Sequence, residues 1–600
     1  MSENKSENTY IGLTIGPIVK ILGNARQSRE LWGASYLFSY FMKQIIHKLR
    51  DERDFIIPFV DKENKEGLFI NVKHYYGTGL FPDVLIFKQK DDNDEEILKS
   101  TIVDVIKEFV EKESAIFADF KDSKQDDIVS YFRSFYQFSI VRKQIEEVDG
   151  NTKNNMDMNP VINLGGLLEL KELQSNFIIE ETSKKLKGPD KKDRAYNYLT
   201  YYLTNINKSK LKKEAFDKIE DRKPFDFEAN SNFPSVSHIS TIELAHNDIV
   251  KGIWKQINKK VDNSDELDLI TELKSEFRIK KLTDQFKFRH KYFCIVYADG
   301  DNIGKTIKKL KGLDKFEAFS KSLFEFAKES TEMIAKFGGK SIYVGGDDLL
   351  FFAPVVDLKG EITIFSLLDE LDECFSKIME QFINNFIKDK TIVTPTLSFG
   401  LSVSYHKHPL YEALETSRNL LFGNAKKYFF KNAICTTITK HSGQIFEINI
   451  SKRQSESFKH FLEMTTRYFG SDSDKKLFTT LMHKLAMFES ILKEIISNKN
   501  SLDNFFENYF NEQVHKTEKG IEFKKDVSKL LHLLNTETTK LKENYIKEQI
   551  EDFNNNKITQ RFLIASIKRS EKIGTIDAQL KNFYNILRTI HFIQQEDNEG

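Results

Sequence analysis

The stretch SIYVGGDDLLFFAP, Ser341 to Pro354, constrains the fold of this 600-residue chain more than any other. Two apolar and aromatic runs flank Gly-Gly-Asp-Asp. The pattern predicts a hairpin with buried strands and a turn that carries two adjacent carboxylates. Gly and Asp are favoured in any tight turn, so a lone GGDD has a purely structural reading. Two acids delivered to one point by a rigid hairpin also suit a site for a hard divalent cation.

A second acidic segment decides between these readings. KYFCIVYADGD, ending at Asp301, reads as a buried strand that runs into acids. Helical spacing follows at Phe316, Phe319, Leu323, Phe326 and Ile334. After the hairpin, Leu368, Leu371, Phe375, Ile378, Phe382 and Phe386 make another helical stripe. TLSFGLSVSY then alternates as a strand, HPLYEALETSRNLLFGNAKKYF is helical, and AICTTITKHSG is again a strand. The order β-α-β-β-α-β predicts a ferredoxin-like palm, an antiparallel sheet with helices on one face. There the first strand and the hairpin are neighbours at the sheet centre.

Asp299 and Asp301 are thereby expected beside Asp347 and Asp348. Converging carboxylates repel one another unless a cation neutralises them. Oxygen ligands favour Mg²⁺ or Mn²⁺, and such sites perform two-metal phosphoryl transfer. Gly345 and Gly346 are expected to allow positive φ in the turn and close approach of a nucleotide. After Asp301 the segment NIGKTI leads from strand into helix. Its amides, around Asn302 and Gly304, are expected to face a triphosphate, with Lys305 nearby. Lys426, in GNAKKYF, is a second candidate phosphate partner. Either lysine reads equally as a solvated helix residue.

The rest of the chain supplies the surroundings. TYIGLTIG and FPDVLIF are strand-like, PIVKILGNARQSRELWGASYLFSYFMKQIIHKL reads as helix, and IVSYFRSFYQFSIV returns toward the sheet. This predicts an α+β domain over residues 1–150. A polar stretch from Asp149 to Asn159 opens a mainly helical region over 151–288, followed by the palm at 289–450 and a charged helical region at 451–600. From Lys184 to Lys213 a basic run is interleaved with aromatics. It suits phosphate contact and base stacking, or a solvated insertion. Trp32, Tyr36 and Phe41 read as core.

Formal net charge is zero, so no global field announces a nucleic-acid partner. Three dispersed cysteines, Cys294, Cys374 and Cys435, cannot build a four-thiolate zinc site, and no zinc is expected. No signal-peptide pattern or membrane-spanning run is present, so no membrane partner and a cytoplasmic setting are expected.

The hairpin and YADGD together resemble the palm of nucleotidyl cyclases and polymerases. Diguanylate cyclases share the turn but continue with Phe where this chain has Leu349. The pattern AR-x-x-R-x-LW-x-x-SYL-x-S, Ala25 to Ser39, resembles the first palm of the large subunit of type III-B CRISPR effector (Cmr) complexes. FPDVLIF, STIELAHNDIVKGIW and the HPLYEALETSRNLLFGNAKK helix support the resemblance. It implies two ferredoxin-like palms, a helical domain between them and a helical C-terminal domain. It implies partnership with the other effector subunits and, through the complex, with guide and target RNA. The implied activity is joining ATP through 3′–5′ linkages into cyclic oligoadenylate when target RNA binds. Carried over, Asp299, Asp347 and Asp348 match the catalytic, metal-holding acids, whereas Asp301 fits the motif or only shapes the turn. None of the thirteen histidines is followed by Asp, so the family's HD nuclease activity is not expected. The acceptor stays open between a second ATP and another small molecule, S-adenosylmethionine included. A catalytically silent scaffold and a diguanylate cyclase are the remaining alternatives.

Overall fold

The computed structural model describes residues 6–595 except 17, 19–21, 24, 62–76, 121–122, 148–158, 174–183, 186–194, 218–232, 247, 249, 251, 253–272, 274–284, 311, 388–392, 454, 469–471 and 511–512. The expected boundary at Asp149 to Asn159 therefore falls largely outside the described residues, as do residues 186–194 of the basic run.

Two sheets share one topology. The first contains β1 (Ser6–Gly16), β2 (Asp54–Ile57), β3 (Val84–Lys88) and β4 (Gln137–Glu147), in spatial order β2-β3-β1-β4. The helices are α1 (Ser28–Leu49) between β1 and β2, then α2 (Asp94–Lys112) and α3 (Gln125–Phe135) between β3 and β4. Of the helix expected from Pro17, Ile18 and Leu22 are helical and Ser28–Leu49 is described without interruption; β4 begins at Gln137, because IVSYFRSF completes α3 rather than a strand. α1 buries Trp32, Leu37, Phe41 and Ile45, and the Trp32 Nε1–H donates to the Gly77 carbonyl at 2.7 Å. A further helix, α4 (Pro160–Leu173), lays Leu164 and Leu168 on the sheet over Gly12. A Cβ at Gly12 would lie 3.0 Å from Leu164 Cδ2.

The aromatic part of the basic run belongs to this core. Tyr198, Tyr201 and Tyr202 on α5 (Tyr198–Thr204) are buried against Phe117 and Phe120, with edge-on rings such as Tyr198–Phe120 at 4.7 Å. The expected stacking surface for bases is thus internal packing there, because burying large rings outweighs leaving them wet.

The second sheet contains β5 (Tyr292–Asp301), β6 (Lys340–Gly345), β7 (Asp348–Ala353), β8 (Thr396–Tyr405), β9 (Ala433–Thr439) and β10 (Ile445–Ser451), in order β10-β9-β8-β5-β7-β6. The four strands β6-β7-β5-β8 repeat the topology of the first sheet, which is the expected ferredoxin-like palm, and β9 and β10 extend it beyond β8. α6 (Ile303–Ile307) and α7 (Leu313–Phe337) follow β5, and α8 (Ile364–Phe386) follows β7. Phe326 of α7 meets Phe375 of α8 edge-on at 4.8 Å, and both are fully buried. Truncating either to Ala would cost about 3–5 kcal/mol. The α8 stripe is buried from Leu368 to Phe382, but Phe386, in the last turn, is exposed. α9 (Leu410–Asn419) packs against β8 and continues into a wide π-helical turn, Leu420–Asn424.

The C-terminal region is helical, as expected, and includes α10 (Glu456–Arg467), α11 (Glu518–Asn554) and α12 (Ile576–Gln594). Phe592 of α12 stands edge-on to Tyr292, the first residue of β5, at 4.8 Å. Among the described residues no helix is long and apolar enough to cross a membrane.

Candidate functional site

Strand register builds the site. β5 pairs with β7 as far as Ala298–Leu349 and with β8 through Asp299–Ser398, Gly300–Leu397 and Asp301–Thr396. It therefore outruns β7 and sets Asp299 against the hairpin turn, where Asp348 pairs with Gly345. The turn needs its glycines for two different reasons. Gly346 has φ +72°, where a side chain is strained. Gly345 is not left-handed; a Cβ there would overlap the Tyr343 hydroxyl, so the expectation of positive φ holds for Gly346 alone. Gly300, between the two acids of DGD, leaves the space that Asp347 fills. A Cβ on Gly300 would come 2.5 Å from Asp347 Oδ2 and 2.8 Å from its Cβ.

Asp299, Asp347 and Asp348 are brought together as expected. Removal from bulk water and the Asp299 charge raise the Asp347 carboxyl to about 6. Asp348 is raised well above the carboxylate range by the same desolvation, although one side of it is open, and by Asp347 and Asp299. Its carboxyl also shares a hydrogen bond with Asp299. Each negative charge makes the next harder to form.

Asp301 has a different place. It is fully buried and accepts from Ser398 Oγ at 2.7 Å, Thr396 Oγ1 at 3.2 Å and the Asn432 amide at 2.9 Å. Its oxygens are spent on the fold. Lys426, expected at a phosphate, instead turns into the DGD segment. Its Nζ lies 2.8 Å from Asp299 Oδ2 and 3.0 Å from Asp301 Oδ1, and donates to the carbonyls of Asp299 (2.8 Å) and Gly300 (2.6 Å). Burial opposes its charge, but Asp301 and Asp299 prevail and its pKa is raised.

The cradle expected after Asp301 is smaller than predicted. Asn302 is left-handed, with φ +65°, and α6 is a single turn. The amides of Lys305 and Thr306 return to the Asn302 carbonyl at 3.0 and 3.2 Å. Gly304 and Lys305 are exposed. A lysine that sequence reasoning missed, Lys431, is half-buried beside these groups in left-handed conformation, φ +62°. Burial lowers its pKa, as do Lys426 and Lys305, against the pull of Asp301 and Asp299. Lys305, Lys426 and Lys431 make the DGD side of the site basic.

The opposite side opens into a cavity of about 810 Å³ between the two sheets. The first palm is joined to β6 here by Val344 N–H donating to the Gly79 carbonyl at 3.1 Å and by Ser35 Oγ–H of α1 donating to the Ile342 carbonyl at 3.2 Å. Asp348, Tyr343 and Arg418 line it from the second palm, and Asp83, Glu169 and Glu172 from the first palm and α4. Burial and Glu172 raise the Asp83 carboxyl to about 6. Asp83 was legible only as a lone acid inside the apolar FPDVLIF. Among the described residues no three acidic, histidine or cysteine side chains are already gathered around one cation position. Asp299 is turned toward Lys426 instead. The donor set still suits a hard cation, with carboxylate oxygens on three adjoining residues and a hydrogen bond between two of them that a cation would replace.

Two family models match the chain: Cas10/Cmr2, second palm domain, over residues 292–435, and CRISPR-associated protein Cmr2, N-terminal, over residues 10–117. The CRISPR system Cmr subunit Cmr2 of Pyrococcus furiosus is 27% identical over 226 residues, 32% of this chain and 24% of the relative. The match thus spans about a quarter of that relative's length. Among solved structures, the type III-B Cmr-beta apo state aligns with 11% identity over 75% of this chain and 71% of that one, TM-score 0.48. The Csm1–Csm4 cassette in complex with cA4 aligns with 9% identity over 88% and 70%, TM-score 0.46.

Proposed function

The chain belongs to the Cas10/Cmr2 family, and from that premise we propose that it is the nucleotidyltransferase subunit of a type III-B CRISPR effector, making 3′–5′ linked oligoadenylate from ATP. The observation that carries this reading is the meeting of Asp299 with Asp347 and Asp348 at the edge of a cavity closed by the first palm. In this reading Asp347, Asp348 and Asp299 hold Mg²⁺ or Mn²⁺, which supplies a lowered pKa for the attacking hydroxyl and charge neutralisation at the phosphates. Asp299 then leaves the ammonium of Lys426. Lys305, Lys426 and Lys431 receive the triphosphate of the donor on the basic side. The acceptor enters from the cavity, its 3′-hydroxyl gives up its proton to water, and its oxygen bonds to the α-phosphorus while the bond to pyrophosphate breaks. Other effector subunits, guide RNA and target RNA are the proposed partners, in the cytoplasm.

A second reading, transfer of AMP to S-adenosylmethionine, is favoured by one feature. Asp83, Glu169 and Glu172 make an acidic wall opposite Asp348, which suits a cationic acceptor better than a second triphosphate. One experiment tests both. The reconstituted complex with guide and target RNA receives Mg²⁺ or Mn²⁺, ATP and S-adenosylmethionine, and products are identified by mass spectrometry. RNA-dependent cyclic oligoadenylate supports the first reading, and a methionine-containing adenylate the second. Absence of any RNA-dependent nucleotide product, or products unchanged by Asp347→Ala with Asp348→Ala, sinks both.

A further inference from the structure

The π-helical turn after α9 does something that an ordinary helix end would not. Leu420 and Leu421 are buried in a small apolar cluster with Ala425 and Cys435, yet Phe422, the next residue, is 46% exposed and lines the cavity between the palms. The turn lies directly on β8, because Gly400 has no side chain. A Cβ there would come 2.5 Å from the Leu421 amide nitrogen. Ser417 pins the same stretch, donating to the Gly400 carbonyl at 2.8 Å and accepting from the Tyr297 amide at 3.1 Å. A large ring is therefore held in the cavity by a backbone that cannot relax inward. π-turns of this kind often accompany functional sites.

Phe422 has a cationic companion. The Arg418 guanidinium carbon sits 5.9 Å from its ring centroid and also lines the cavity. A planar, half-exposed ring in a cavity wall, beside a guanidinium fork, suits a heterocyclic base: the ring stacks and the fork donates to ring nitrogens or a carbonyl. Position assigns which nucleotide this is. The lysines proposed to receive the donor's triphosphate lie on the DGD side of the site, whereas Phe422 and Arg418 line the cavity from which the acceptor enters.

We propose that Phe422 and Arg418 form the stacking site for the purine base of the acceptor, and so determine which acceptors the cavity admits. The proposal rests on the nucleotidyl-transfer reading for the word acceptor, but not for the binding itself. An acceptor adenosine moiety is common to ATP and S-adenosylmethionine, so the site serves either reading above.

The test uses the full chain and AMP, which has no triphosphate and cannot serve as donor. Binding of AMP and of tripolyphosphate is measured by calorimetry for wild type, Phe422→Ala, Phe422→Trp and Arg418→Ala. Loss of one base–aromatic stack predicts AMP binding weakened roughly tenfold in Phe422→Ala. Phe422→Trp keeps AMP binding near the wild-type value, Arg418→Ala weakens it, and tripolyphosphate binds all four proteins alike. The inference is overturned if wild type does not bind AMP, if Phe422→Ala binds it undiminished, if Phe422→Trp loses it as Ala does, or if Arg418→Ala leaves it unchanged. It is also overturned if tripolyphosphate is lost together with AMP in Phe422→Ala. AMP binding that depends on Phe422, in a complex that forms no nucleotide product, leaves the stacking site standing and removes the transfer reading alone.

Discussion

Lys426 Nζ lies 2.8 Å from Asp299 Oδ2, so an internal ammonium neutralises the acid that the proposed cation would otherwise hold. The lysine side chain is only 11% exposed, and its remaining contacts go to Gly300 and Asp301. Lys426→Met leaves Asp299 and buried Asp301 uncompensated, a loss of about 3 kcal/mol to the second palm. Added Mg²⁺ should recover much of this by taking over the neutralisation. Thermal melts with and without Mg²⁺ check it: the variant melts below wild type without metal and shows the larger Mg²⁺-induced rise. Equal rises would show that Lys426 and the cation do not share Asp299.

Gly300 tests the site without touching a charge. Its missing Cβ is the space occupied by Asp347, so Gly300→Ala drives that carboxylate off the position facing Asp299. The residue lies at a strand end, and the expected loss of stability is small, on the order of 1 kcal/mol. RNA-dependent product formation should fall by at least roughly tenfold, since misplacing a catalytic group by an ångström is costly. Melting temperature and product yield measured on the same preparation separate the two effects. A collapse of the melt in step with activity would contradict the prediction.

Asp83 carries a pH signature. Its carboxyl titrates normally near 3.8 and in the fold at about 6, because burial and Glu172 disfavour the charge, with Asp348 and Tyr343 facing it across the cavity. The folded state holds this proton more tightly than the unfolded chain does. Stability from this group is therefore present at acid pH and lost as pH rises from about 4 to 6, on the order of 2 kcal/mol. Asp83→Asn removes that loss and melts above wild type at pH 7, with the difference vanishing near pH 4. A pH-independent difference between the two proteins would refute the assignment.

The alternation of TLSFGLSVSY and the apolar stripes of α7 and α8 made the second palm legible, since both periods survive in one chain without tertiary information. Asp299, Asp347 and Asp348 were legible for the same reason: once the strand order is fixed, they have nowhere to go but one end of the sheet. The pairing of Lys426 with Asp301 was not legible, because it depends on the left-handed turn at Lys431 and Asn432, which swings the Asn432 amide onto Asp301. Asp83 shares a cavity with Arg418 and Phe422 only because two separate sheets face each other, and no local pattern encodes that. The tyrosines of α5 were misassigned because neighbouring lysines disguised a core helix as a basic surface.

Glu243 joins three parts of the chain, and its loss should be felt in the second palm first. Its carboxylate accepts from Arg289 Nη2 at 2.6 Å and Nε at 3.0 Å, and from His290 Nε2–H at 2.7 Å. The His290 tautomer follows from its other nitrogen, because Nδ1 accepts from the Lys287 amide at 2.9 Å and so carries no proton. Arg289 also donates to the Ile593 carbonyl at 3.2 Å, tying α12 to the segment that opens β5. Burial alone would raise the Glu243 carboxyl, but His290 and Arg289 hold it well below the usual range. That depressed value means the network's stability is present above pH 4 to 5 and survives mild acid. Glu243→Gln keeps the shape but sets an amide N–H₂ against a donor, leaving Arg289 buried without its counter-charge. The expected cost is about 3 kcal/mol. Limited proteolysis should then cut near α12 and β5 before it cuts the first palm, whose packing of Trp32, Phe41 and Tyr136 does not involve Glu243. Protection of α12 equal to wild type would show that Arg289 and Ile593, not Glu243, hold the junction.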